Sequence, residues 1–181
     1  MSVIPPEKWR ALNDAVYYTD RPLAGLDGAA ISFLVECLPH TPRQRIRVCA
    51  HSDEAAVFQE MVIVLGRRGY VRPHRHHGKA ESLHVVRGSA ALVLFDSEGR
   101  TTDHVQLGTE GDSTCWYYRI GEPVYHTLLP LTECFVFHES TTGPFQRSDT
   151  EFAPWAPEDS DDTAVVEYLS ALTRELSLNE Q

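Results

Sequence analysis

From about residue 31 to residue 138 the chain is a succession of short apolar runs, each ended by glycine, proline or aspartate. Ile31–Leu38, Arg45–His51, Val57–Leu65, Leu83–Val86, Ala90–Phe95, His104–Leu107, Ser113–Tyr118, Val124–Leu128 and Cys134–His138 are rich in Val, Ile, Phe and Tyr. Such residues suit a pleated, half-buried surface, and runs of this length between turn signals read as strands. Asp96 to Gly99 is a hairpin turn, with Gly99 free to take positive φ. Many short strands with frequent turns predict a mainly β sandwich or barrel. Two helices flank it. Residues 6–19 are expected to hold a short one, started by Pro5 and Pro6. Val165, Leu169, Leu172 and Leu176 recur at helical spacing behind Asp161 and Asp162, which can cap an amphipathic helix. The expected organisation is an extension over 1–30, a barrel over 31–145, and a clasp and helix over 146–181. Val165 to Leu176 can pack on the barrel or on a second subunit.

Within the β region, Pro73 to Glu81 holds three histidines and a carboxylate. His74 and His76 are two apart, so on a strand both imidazoles point to one side. Glu81 can reach the same point from the next strand and His126 from a distant one. Imidazole and carboxylate suit a divalent ion such as Fe, Zn, Ni or Mn, and short metal bonds require this convergence. The expected cofactor is one such ion per chain, held by His74, His76, Glu81 and His126. Four protein ligands on an octahedral ion leave two positions for chemistry or ligand binding. His77 and His84 fall on the opposite faces of their strands and are expected outside this group.

His74-x-His76, Glu81 and Gly88 resemble the first cupin motif, and His126 sits where the second motif carries its histidine. More narrowly, the chain is similar to the WbuC-type cupin metalloproteins of surface-polysaccharide gene clusters. The matching pieces are Arg47 to His51, Gln59, Tyr70 to His76, Glu81 to Gly88, Leu94 to Gly99, Tyr125 to Thr127, Gly143 to Phe145 and Phe152 to Pro157. They span most of the chain. The resemblance implies a single-domain cupin, a double-stranded β-helix or jelly-roll barrel, and a metalloprotein without a fixed reaction. Departures are Cys49 where the family's motif has asparagine, Gly121-Glu-Pro123 in the turn before His126, and Pro130 at the place of a trailing asparagine. On this match His51 is a candidate to move a proton, with Tyr70 beside it as a second catalytic candidate. Arg47, Gln59, Arg72 and Tyr125 are candidate substrate contacts. The implied chemistry is Lewis-acid isomerisation or rearrangement of a sugar-like or hydroxy/keto substrate. An Fe(II)-dependent oxygenase and a non-catalytic binding cupin are the alternatives.

Sixteen basic against 26 acidic residues give a net charge of −10, which argues against nucleic acid or an anionic membrane as partner. Positive charge is nevertheless local. Arg43, Arg45 and Arg47 alternate on one run, and Arg67, Arg68, Arg72, Arg75 and Lys79 surround the histidines. A small-molecule substrate is expected, and an anionic one fits that distribution. The start of the chain lacks an apolar signal region, and no run approaches eighteen apolar residues. A cytoplasmic protein is expected, with four free cysteines and a homodimeric assembly through exposed barrel edges.

Overall fold

A computed structural model describes residues 6–19, 23–111 and 114–178. Its strands are β1 Arg10–Asn13, β2 Val16–Tyr18, β3 Arg45–Cys49, β4 Phe58–Gly66, β5 His74–His76, β6 Glu81–Arg87, β7 Ala90–Phe95, β8 Thr101–Leu107, β9 Tyr117–Ile120, β10 Tyr125–Pro130, β11 Cys134–Thr142 and β12 Thr150–Phe152. Two helices, α1 Gly28–Cys37 and α2 Asp162–Glu175, complete the chain. The strands form two sheets, ordered β1-β2-β3-β4-β11-β6-β9 and β12-β5-β10-β7-β8. Apart from the parallel β2–β3 pair, the ladders within them are antiparallel. The fold is the expected mainly β jelly-roll barrel.

The core lies between the sheets. Met61, Ile63, Leu65, Leu83, Val85, Phe135 and Phe137 come from the first sheet, and Ala90, Leu92, Leu107 and Leu128 from the second. Alternation decides this, since residues i and i+2 of a strand share a face. The outward residues Ile46, Val48, Val64 and Val136 are also buried, because α1 covers them with Ala30, Leu34 and Leu38. The second sheet's outer face, with Ala91, Val93, Phe95 and Leu129, is covered by Ala153, Ala156 and Leu172. All six residues of β10 are therefore buried, as in any strand covered on both faces. Gly99 takes φ +85° in its hairpin, and Gly88 takes φ +78° where a Cβ would come within 2.3 Å of the Cys134 carbonyl oxygen.

Two local expectations are corrected. Residues 31–38 are helical: the Asp27 side chain accepts from the Ala29 and Ala30 amides, both at 3.0 Å, and starts α1. A short apolar run fits either period, and here the cap and the buried Ala30–Leu34–Leu38 stripe select the helix. Residues 6–19 form a three-residue 3-10 turn and the β1–β2 hairpin, because β2 gains a parallel partner in β3. The N-terminal helix of this fold is thus α1. The strand expected from Ser113 begins at Tyr117 among the described residues, and Ser113 itself lies outside them. The expected C-terminal helix is present, capped by Asp161 accepting from the Ala164 amide at 3.0 Å. Its Leu172 packs on the barrel, so the stripe is used within the chain. Among the described residues no helix is long and apolar enough to cross a membrane.

Candidate metal centre

His74 and His76 project from β5, Glu81 opens β6 and His126 lies in β10. His126 is the direct cross-strand partner of His74, which brings two imidazoles separated by about fifty residues into contact, with ring centroids 4.6 Å apart. One ligand atom from each of the four residues lies within 4.8 Å of the others. Glu81 Oε2 is 3.2 Å from His76 Nε2, and Oε1 is 3.0 Å from His126 Nε2. The Tyr118 hydroxyl donates to Glu81 Oε1 at 3.5 Å.

The opposite nitrogen of each ring is engaged elsewhere. His74 Nδ1 lies 2.8 Å from the Arg72 carbonyl oxygen, and His126 Nδ1 2.9 Å from that of Val124. A carbonyl oxygen can only accept, so both Nδ1 atoms carry the proton. Nε2 of each ring faces the centre and is a lone-pair donor whenever the ring is neutral. His76 Nδ1 lies 3.2 Å from Thr150 Oγ1 on the adjacent β12. The two carbonyls fix the tautomers of His74 and His126, and the three contacts together fix ring orientation, as at protein metal sites generally. The donor set fits a divalent metal ion.

The charges agree with that reading. Burial, and then neighbouring His126, push the His74 imidazole down to about 3, so it is neutral as a ligand must be. Burial acts to raise the Glu81 carboxyl, but hydrogen bonds from His126 and His76 outweigh it and hold it well below the usual carboxylate range. His126 is raised: burial opposes its charge, and Glu81 more than compensates. A divalent cation held by these residues would compete with the proton that His126 shares with Glu81.

The four residues lie on the wall of a cavity of about 780 Å³ in the barrel. Arg47, His51, Gln59, Tyr70 and Arg72 line it too. Gln59, 4% exposed, donates to the Glu54 carbonyl oxygen at 3.0 Å. His51 Nδ1 is held at the Glu60 backbone. Tyr70 is not poised for proton transfer: its hydroxyl donates to the Pro157 carbonyl at 3.0 Å, and burial pushes its phenol well above the ordinary value. Arg72 is likewise committed to the C-terminal segment, reaching Glu158 at 2.5 Å and Ala153 at 3.3 Å. Residues 152–158 thus both clasp the outer sheet and, through Phe152 and Glu158, form part of the cavity rim.

Tyr125 is a correction. It precedes His126 on one strand, so it faces the other way, among Phe95, Ala153 and Trp155, and its hydroxyl donates to Glu151. His77 also turns away, with Nε2 2.6 Å from Glu151 Oε2. His84 faces outward and packs against Trp116. Cavity residues that sequence reasoning missed include Glu139, Thr150 and Tyr118. Glu139 was legible as the continuation of the Phe135–Phe137 alternation, had β11 been extended past His138. Thr150 carried no local signal, because only the pairing of β12 with β5 brings it to His76.

Residues 26–107, somewhat under half of the chain, match the family described as a domain of unknown function, DUF6016. No curated protein matches the chain. Among solved structures, oxalate oxidase in complex with the substrate analogue glycolate aligns over 77% of this chain and 69% of its own, at 13% identity and TM-score 0.48. A Shewanella oneidensis protein aligns over 57% and 66%, at 15% identity and TM-score 0.45. A cupin-superfamily sugar phosphate isomerase from Silicibacter pomeroyi aligns over 49% and 52%, at 20% identity and TM-score 0.38. The chain thus spans just under two thirds of the Shewanella protein and about half of the isomerase.

Proposed function

We propose that the protein is a mononuclear metalloenzyme of the cupin type, acting on a small polar molecule. One observation carries this reading. Three imidazoles with their Nδ1 atoms engaged elsewhere, and a carboxylate between them, converge within 4.8 Å on the wall of a cavity large enough for a small-molecule substrate. His74, His76, Glu81 and His126 would hold the ion. A divalent ion there supplies Lewis acidity, suited to polarising a hydroxyl-carbonyl or carboxylate group. The chain's own residues do the rest. Glu81 and the histidines set the net charge of the site, and Gln59 offers a buried amide to the substrate. His51, held by one ring nitrogen on the Glu60 backbone, is the residue proposed to move a proton. Tyr118 stays protonated, since burial and Glu81 both raise its phenol, and its hydroxyl donates to Glu81.

Isomerisation or rearrangement of a sugar-like or hydroxy/keto substrate is the reaction class put forward. The WbuC-type motifs, Arg47 to His51 and Tyr70 to His76 among them, support the sugar-like part of that reading.

The test is elemental analysis of protein purified without oxygen or chelator, beside His76→Ala. About one Zn, Ni or Mn per chain, lost in the variant with the β signal of circular dichroism unchanged, is the expected result. About one iron would move the assignment to oxygen chemistry. Absence of metal from both proteins would overturn it.

A further inference from the structure

The first sheet carries a second group of functional side chains, away from the histidines. On β3, Ile46 and Val48 face outward and are fully buried beneath α1. Alternation sends Arg45, Arg47 and Cys49 to the inner face, where a barrel ordinarily places apolar residues. Cys49 there belongs to the core. Arg45 and Arg47 both line the cavity that holds the metal centre.

Of the other cations of this cavity wall, Arg147 is exposed and the rest are paired. Arg43 meets Asp159 at 2.9 Å, Arg72 meets Glu158 at 2.5 Å, and Lys79 meets Asp149 at 3.1 Å. Among the described residues, no carboxylate lies within 4 Å of Arg45 or Arg47. Arg47 Nε is buried without a hydrogen-bond partner. Glu139 is the carboxylate whose field reaches both guanidiniums, and it also feels Glu81. Burial and the like charge of Arg47 work against Arg45, and only Glu139 and Asp159 offset them. Two partly buried cations without a fitted partner carry a desolvation cost, which an ion they are built to meet would offset.

We infer that Arg45 and Arg47 form an oxyanion subsite, so that the ligand of this cavity carries a phosphate or carboxylate group remote from its metal-binding end. The proposal rests on the reading of the cavity as a substrate site and adds the chemical class of the substrate. Guanidinium presents a planar fork of donors that matches both oxyanions. In the sheet order β3-β4-β11-β6, the arginines lie three strands from Glu81. At about 4.8 Å per strand that is roughly 14 Å of sheet, shortened by the inward reach of the side chains. A molecule with hydroxyl or carbonyl oxygens at one end and an oxyanion at the other spans this distance.

The test uses the full chain stripped of metal by chelator, so that an anion cannot bind to an ion. Inorganic phosphate and acetate are titrated by calorimetry into wild type, Arg45→Gln and Arg47→Gln. Binding of at least one anion, weakened about tenfold or more in each variant, is expected; the anion that binds names the group. Thermal unfolding without anion separates this from a structural role. Removing an unpaired, partly buried charge should raise the melting temperature in both variants. Equal anion binding in all three proteins, or no binding to wild type, overturns the proposal. So does a fall in melting temperature in both variants, which would make the arginines structural. Loss of the metal assignment would leave these results unaffected, because no ion is present in the assay.

Discussion

His76 is the histidine of the centre whose outer nitrogen is held by a side chain rather than by backbone. His74 and His126 are fixed by the carbonyls of Arg72 and Val124, which no side-chain substitution removes. His76 Nδ1 is 3.2 Å from the Thr150 hydroxyl, and β12 and β5 align the two residues as direct partners. Thr150→Val keeps the volume and β-branching and deletes only the oxygen. His76 would then lose the contact that holds its ring orientation. Removing such a partner ordinarily lowers metal affinity about 10- to 100-fold, or about 1.4–2.7 kcal/mol. Thr150 is only partly buried on a short strand, so the cost to folding should stay below about 1 kcal/mol. Competition with a chromophoric chelator measures the affinity, and urea unfolding of the stripped protein measures the fold. Thr150→Ser, which restores the hydroxyl, should recover most of the lost affinity. An unchanged affinity in Thr150→Val would refute the argument that Nδ1 anchoring organises this site. Equal losses in the valine and serine variants would point to packing instead.

Two further outcomes follow from the same structure. Leu34 is fully buried where α1 covers the first sheet, so Leu34→Ala should cost about 2–5 kcal/mol in urea unfolding. Metal content should be retained because that face is turned away from the centre; a cost under about 1 kcal/mol would mean α1 is loosely attached. In metal-free protein, His74 titrates at about 3 in the folded state against an ordinary 6.5. Its stabilising contribution is therefore complete above about pH 6.5 and falls towards pH 3, as unfolded chains take up the proton first. The loss is about 2 kcal/mol between pH 6.5 and 5. His126 is raised and works in the opposite sense, adding stability below its own midpoint. Stripped His74→Gln should accordingly lose less stability than wild type on going from pH 7 to pH 5; an equal or larger loss would contradict a buried neutral His74.

Much of the barrel was legible in local pattern. β7 was read with its boundaries unchanged, and β3, β4, β6, β8, β10 and β11 were found with shifted ends. These strands carry their own β-branched and aromatic residues and their own turns. The one-sided convergence of His74 and His76 was equally readable, because a two-residue spacing on a strand is itself a statement about direction. Asp161 announced α2 through the chemistry of a helix cap.

Elsewhere local pattern was insufficient, for identifiable reasons. The 31–38 run satisfies both helical and strand periods, and the Asp27 cap together with the surface formed by Ile46, Val48, Val64 and Val136 selects the helix. β1 and β2 owe their existence to β3, a partner some thirty residues away. Tyr125 resembled a site residue by its place beside His126, yet adjacency along a strand is what turns it to the other face. Tyr70 and Arg72 were chosen as polar groups near the histidines, and both are taken up by the segment that returns at 153–158. Sequence alone determined which residues could be ligands, since imidazole and carboxylate chemistry travels with the residue. Tertiary structure decided which of them meet, and that two arginines face into the same cavity, because cross-strand pairing and burial depend on partners far away in the chain.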